Sequence, residues 1–268
     1  MPFKWIICTA LTMSLLGTAV APAMAQDDPV GIVADPCANQ KTPEQLPGEQ
    51  WATYIFAHDF GRLCRYRSDN ASLTAPGKAP PQVVFMGDSI TEGWQKLDPA
   101  FFTAGKLDRG IGGQTTSQML LRFREDVIEL HPQAVHILAG TNDVAGNTGP
   151  VTLAQVEGNI ASMAELAHAH GIRVILGSVT PAARFPWRPN LTIGPTIKAL
   201  NAWIKDYAAH HGYTYVDYFS AMRTAGGGMQ DGLSVDGVHP TLKGYKVMEP
   251  LTDTAIKQAM ERSAVATH

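Results

Sequence analysis

Ser89 stands in the run Gly87-Asp88-Ser89-Ile90. A serine hydroxyl becomes a useful nucleophile only when a base takes its proton as it attacks. His239, in Asp236-Gly237-Val238-His239-Pro240, is the best base among nine histidines. Asp236, three residues away, can accept its Nδ1–H, fix its tautomer and stabilise the imidazolium that forms. Two further groups offer hydrogen-bond donors. Arg109-Gly110-Ile111-Gly112-Gly113-Gln114 presents backbone N–H groups on glycines, which no Cβ obstructs, and Gly140-Thr141-Asn142-Asp143 presents a side-chain amide. Taken singly, each group reads as a turn, a helix cap or a surface pair. Taken together they supply a nucleophile, an acid–base pair and donors for the charge that develops on a carbonyl oxygen under attack. The remaining clustered histidines, His168, His170, His210 and His211, fall at predicted helix C-termini, where positive charge suits the dipole. No cysteine or carboxylate accompanies them in a ligand spacing and no C-x-x-C occurs, so neither metal nor cofactor is expected.

These groups need elements to carry them. Val83–Met86 is a short apolar run ending at Gly87, a strand-like segment lies near Leu107, and Ala134–Ala139 and Ile172–Val179 are further apolar strands, with Tyr213–Val216 as the last. Between them, residues recur at helical spacing over Thr115–Leu130, Leu153–His170 and Thr196–His211, and a final helix spans Thr241 to about Arg262. Alternating strand and helix implies βαβ crossovers and a parallel sheet covered on both faces. Ligands of such sheets bind beyond the carboxyl ends of the strands, where the four chemical groups fall. Upstream, residues 26–48 read as an irregular arm, Glu49–Asn70 as one helix weakened by Gly61, and Ala75–Pro81 as a linker. Among the apolar residues, Met86, Trp94, Phe185 and Trp187 are candidate pocket walls, and Trp187 is the candidate substrate contact, since Pro181–Pro195 follows a strand end.

Composition narrows the function. The chain has 268 residues and a formal charge of −3, so it lacks the bulk positive charge of a nucleic-acid binder. Lys4, the uncharged run from Trp5 to Val20 and Ala23-Met24-Ala25 form an expected signal peptide over residues 1–25, cleaved before Gln26. The run is shorter than the roughly 20 residues a spanning helix needs, so no membrane span is expected in the mature chain and a secreted or periplasmic location is. Export removes Cys8 and leaves Cys37 and Cys64, an oxidising-compartment pair that points to a disulfide.

The motifs G-D-S-I, R-G-I-G-G-Q-T-T, G-T-N-D and D-G-V-H-P, in this order and spacing, resemble the SGNH hydrolases, also called GDSL esterases. The resemblance runs from about Val83 to the last helix. It implies a flavodoxin-like three-layer α/β/α sandwich with strand order 2-1-3-4-5. It also implies a catalytic triad of Ser89, His239 and Asp236, with an oxyanion hole formed by the backbone N–H groups of Ser89 and Gly113 and the side chain of Asn142. Gly113 is preferred to Gly112 because the donor glycine of the family is usually the one before the Asp or Gln position. Two positions depart from the usual pattern: Gln114 stands where Asp is common, and Asp108 where Asn often precedes Arg-Gly. The expected organisation is a signal peptide (1–25), an arm and helix packed on the core (26–81) and the hydrolase domain (82–268). The expected activity is hydrolysis of short acyl esters, acetyl foremost, on a small-molecule or carbohydrate substrate without a cofactor. The alternatives are a lipid-directed esterase of lysophospholipase or platelet-activating-factor acetylhydrolase type, and acyl transfer to a sugar hydroxyl.

Overall fold

A computed structural model of the chain describes residues 31–261, and the expected signal peptide lies outside the described residues. Residues 31–41 contain turns and no helix or strand, and Cys37 and Cys64 are both disulfide-bonded. From residue 42 onward the chain builds a sheet covered by helices.

Five parallel strands, β1 (Val83–Gly87), β2 (Lys106–Gly110), β3 (Ala134–Leu138), β4 (Arg173–Gly177) and β5 (Thr214–Val216), form one sheet in the order β2-β1-β3-β4-β5. This is the order that the family resemblance implies. The register sets Gly87 opposite both Gly110 and Leu138, so the carboxyl ends of β1, β2 and β3 finish level. Because β1 lies between β2 and β3, the crossovers reverse direction there and leave a crevice between the ends of β1 and β3. Ser89 and Asn142 emerge at its two sides.

Alternation along the strands divides the core. Val84, Met86, Val135 and Ile137 face a layer made by α4 (Thr116–Asp126), α6 (Leu153–Ala169) and α7 (Gly194–His210). Val83, Phe85, Ala134 and Leu138 face α3 (Ser89–Leu97), α8 (Tyr218–Met222) and α9 (Leu242–Glu261). Full burial of each large apolar side chain contributes about 1.5–3 kcal/mol, so both faces of the sheet are firmly held. Met86, Trp94 and Phe185 are fully buried in these layers. They are core residues rather than the pocket walls their sequence positions suggested.

The single upstream helix expected over Glu49–Asn70 is instead two, α1 (Glu49–His58) and α2 (Arg67–Leu73). The Asp59 carboxylate accepts the N–H groups of Leu63 at 2.7 Å and Cys64 at 3.2 Å, and Arg62 adopts a left-handed φ of 58°. An aspartate that bonds nearby main-chain donors competes with helical pairing, and here it wins. The segment then packs on the sheet domain through polar bonds. Arg109 donates to Asn70 Oδ1 from Nε (3.0 Å) and a terminal nitrogen (2.6 Å), and Asn70 donates to Asp126 Oδ1 at 2.6 Å.

Candidate active site

Asp88 follows β1 and caps α3, its carboxylate accepting the Ile90 N–H at 2.9 Å. Ser89 therefore occupies the first position of α3, where its N–H has no intrahelical partner. Its hydroxyl lies 2.9 Å from His239 Nε2, and His239 Nδ1 lies 2.8 Å from Asp236 Oδ2. A carboxylate only accepts, so Nδ1 carries the proton and Nε2 is left as the acceptor for the Ser89 hydroxyl.

The loop before α9 is built for this arrangement. Ser234 Oγ accepts the N–H groups of Asp236 and Gly237, and Asp236 Oδ1 accepts those of Val238 and His239 at 2.9 and 2.8 Å. Partial burial works to raise the Asp236 pKa, but the bonds from the His239 backbone and ring and from the Val238 N–H outweigh it. The net shift is downward and the group stays ionised. Asp236 and His239 remain about one-third exposed, so the site opens to solvent.

The glycine loop explains which peptide can act. Gly112 N–H is already committed to Glu92 Oε2 at 2.9 Å, whereas Gly113, at φ 79°, has no hydrogen-bond acceptor for its N–H among the described residues. Gly110 has its own steric requirement, because a Cβ there would collide with the backbone nitrogen of Glu92 in α3. Asp143 braces the loop from below. Its carboxylate accepts the Thr116 N–H at 2.9 Å and the Thr116 hydroxyl at 2.6 Å, which fixes the start of α4. Burial raises the Asp143 pKa despite those bonds.

Asn142, in the short helix α5 (Thr141–Val144), donates from Nδ2 to the Gln114 carbonyl at 2.9 Å and to Asp88 Oδ2 at 3.2 Å. The longer of these is the N–H that an oxyanion beside Ser89 would share with Asp88. Full burial raises the Asp88 pKa to about 6, the main opposing influences being the bond from the Ile90 N–H and the nearby His239.

Both departures from the family pattern have a structural role. Gln114 accepts from Arg122 Nε at 2.6 Å and donates to the Gly61 carbonyl at 3.1 Å. A carboxylate could make the first bond but not the second. Asp108 accepts the Gly110 N–H at 2.9 Å, and burial pushes its pKa to about 7.

Trp187 overhangs the site. Its ring stacks on Phe185, with centroids 5.2 Å apart, and lies 5.8 Å from the His239 ring. At 36% exposure it keeps a face open to solvent. Its Nε1 donates to Asn147 Oδ1 at 3.3 Å. Neither Asn147 nor Glu92 stands out in the sequence: the first lies in an ordinary Gly-Asn-Thr-Gly turn, the second is an acidic residue in the first turn of a short helix, a common position for one. A cavity of about 240 Å³ with a mixed lining that includes Asp143, Thr192, Val156 and Leu200 is not lined by Ser89, Gly113 or His239, so the acyl group is not assigned to it. Among the described residues no group of three or more His, Cys, Asp or Glu could hold a metal ion, and no helix is long and apolar enough to cross a membrane.

A parallel sheet in this strand order, with a serine, a histidine and an aspartate meeting at its carboxyl edge, defines a class of ester hydrolases. The chain belongs to the GDSL-like lipase/acylhydrolase family, whose model matches residues 85–247. Among solved structures, it is similar to a GDSL-like lipase from Bacteroides thetaiotaomicron, with 50% identity and a TM-score of 0.72 over 75% of this chain and 100% of that one. It is also similar to the esterase TesA of Pseudomonas aeruginosa, at 29% identity over 61% of this chain and 82% of that protein. A third relative is the uncharacterized lipoprotein YqeF of Bacillus subtilis, 36% identical over 39% of this chain. The match spans about half (51%) of that lipoprotein's length.

Proposed function

We propose that this chain is an exported serine esterase that removes short acyl groups, acetyl foremost, through a Ser89–His239–Asp236 triad. The observation that carries the reading is the run of contacts from Ser89 Oγ to His239 Nε2 (2.9 Å) and from His239 Nδ1 to Asp236 (2.8 Å), beside N–H groups at Ser89 and Gly113. Ser89 Oγ bonds to the ester carbonyl carbon as its proton passes to Nε2. The charge on the carbonyl oxygen is met by the two backbone donors and by Asn142. The C–O bond to the alcohol then breaks, with the proton from Nε2 going to the leaving oxygen. Water attacks the acyl-enzyme by the same steps in reverse roles, giving the free acid and restoring Ser89.

A short acyl group suits a site whose histidine and aspartate are one-third exposed and whose rim carries Glu92 and Asn147. The open face of Trp187 beside His239 favours a ring in the alcohol portion, a sugar above all. Export is supported by the leader sequence, by the disulfide-bonded state of Cys37 and Cys64 and by the likeness to a lipoprotein.

The test is a panel of p-nitrophenyl esters of increasing chain length beside acetylated sugars and lysophospholipids, with and without an acceptor sugar. Acetyl esters should be turned over fastest, and Ser89→Ala should abolish both turnover and labelling by a serine-directed phosphonate. Preference for lysophospholipids, or acyl transfer to the acceptor outrunning hydrolysis, would replace the substrate assignment. Full activity in Ser89→Ala would remove the nucleophile.

A further inference from the structure

Asn147 lies where three parts of the site meet. Its Nδ2 donates to Asn142 Oδ1 at 2.8 Å and to the Gly113 carbonyl at 3.3 Å, while its Oδ1 accepts from Trp187 Nε1 at 3.3 Å. Its backbone N–H also donates to the Asn142 carbonyl at 3.0 Å. An indole N–H only donates, so the Asn147 carbonyl must face Trp187 and its NH₂ must face Asn142 and Gly113. That polarity meets the Asn142 carbonyl oxygen and keeps the Asn142 NH₂ on the side of Asp88, the neighbour of Ser89. A rotated Asn142 would turn an oxygen toward the developing oxyanion and repel it. A bond accepted at the amide oxygen also polarises the opposite N–H, making it a better donor.

We propose that Asn147 is a positioning residue of the oxyanion hole. It holds the Asn142 amide and the Gly113 peptide in register, and through Trp187 it ties that register to the seating of the 181–195 loop against His239. The proposal rests on the esterase reading above and adds a coupling to it: a group that displaces Trp187 alters turnover as well as binding.

The experiment measures kcat and KM separately with p-nitrophenyl acetate for Asn147→Ala, Asn142→Ala and the double variant. Asn147→Ala should lower kcat about ten- to a hundredfold, with KM within about twofold, because a small misplacement of donors acts on the transition state. In the Asn142→Ala background the same change should cost less than about threefold, since the more closely held of the two groups it positions is gone and only the longer bond to Gly113 remains. Trp187→Phe keeps an aromatic ring on Phe185 but removes the indole N–H together with part of the ring area. It should lower kcat about three- to tenfold alone and not further in Asn147→Ala.

Unchanged kcat in Asn147→Ala, equal fold losses in both backgrounds, or a loss confined to KM would overturn the proposal. Should Asn147→Ala fail to fold, Trp187→Phe decides, with an unchanged kcat counting against it. Phosphonate labelling of Ser89 keeps the two readings apart. Absence of labelling in the wild-type protein defeats the esterase reading, whereas intact labelling with unchanged turnover in Asn147→Ala defeats only the positioning role.

Discussion

Replacing Asp108 with asparagine should stabilise the protein above neutral pH and leave it nearly unchanged near pH 4. The side chain is buried midway along β2 and accepts the Gly110 N–H, a bond that an asparagine oxygen can equally accept. Burial raises its pKa to about 7, and Arg109 and Arg122 only partly offset that effect. The sign follows from where the proton resides. An unfolded aspartate releases its proton near pH 3.9, so between that pH and 7 the folded state holds a proton that the unfolded state has lost. Stability is therefore fully present below about pH 4 and is eroded as pH rises to about 7, with no further change above it. A displacement of about three pH units corresponds to roughly 4 kcal/mol at pH 8 as an upper bound, between about 1 and 2 at pH 5 and under about 1 at pH 4. Urea unfolding followed by tryptophan fluorescence, with the disulfide kept oxidised, reads this directly. The gain in Asp108→Asn should be about 2–4 kcal/mol at pH 8 and shrink toward zero by pH 4, with the same denaturant slope. A pH-independent difference, or destabilisation at pH 8, would refute the argument that ionising this carboxylate costs stability.

Buried His136 should act in the opposite direction. Burial depresses its pKa to about 3, so the unfolded chain takes up a proton first, and stability should fall by about 2–3 kcal/mol between pH 7 and 4.5 through this group alone. His136→Leu should flatten that limb of the denaturation profile, even if the lost Tyr218 hydroxyl contact lowers stability at pH 8. Asn142→Ala should reduce kcat by about 10²–10³ with little change in KM, as steady-state kinetics would show; a change in KM alone would take Asn142 out of the oxyanion hole. Asp236→Asn should lower kcat by about 10⁴ at neutral pH by favouring the wrong imidazole tautomer, and unchanged turnover would reduce the triad to a dyad.

The centre of the sheet was legible because β1 and β3 are largely apolar runs that stop at glycines, whereas β2 carries Lys106, Asp108 and Arg109 and left only a weak signal. The run before Gly87 becomes β1 and the run before Gly140 becomes β3, each delivering a chemical group at its carboxyl end. The convergence of Ser89 with His239 was legible from residue type and order, but its distance was not, since the two are joined only through tertiary packing. Helix α3 was easy to miss because it spans only nine residues, with Ile90 and Trp94 carrying its buried side and Gly93 between them. That glycine is needed because a Cβ would come within 2.8 Å of the Tyr245 hydroxyl, a neighbour some 150 residues away in the chain. The break between α1 and α2 was hidden for a similar reason, since Asp59 caps a turn that propensity alone cannot foresee. Asn147 gave no warning, because its importance lies in which three groups surround it.

The polar contacts between α2 and the sheet domain also bear on where this chain can be cut. A version beginning at Gln82 would start at the boundary that motif alignment suggests, yet it would strip the buried Arg109 of Asn70, Asp69 and the Tyr66 ring. Asp126 would lose the Asn70 amide, and the Gln114 and Gln118 side chains would lose the carbonyls of Gly61 and Phe60. A guanidinium left solvated on one side only, under the loop that carries Gly113, is a poor foundation for catalysis. The shortest working enzyme therefore begins ahead of Phe60, and a library of N-terminal truncations should lose soluble activity between that residue and the end of α2.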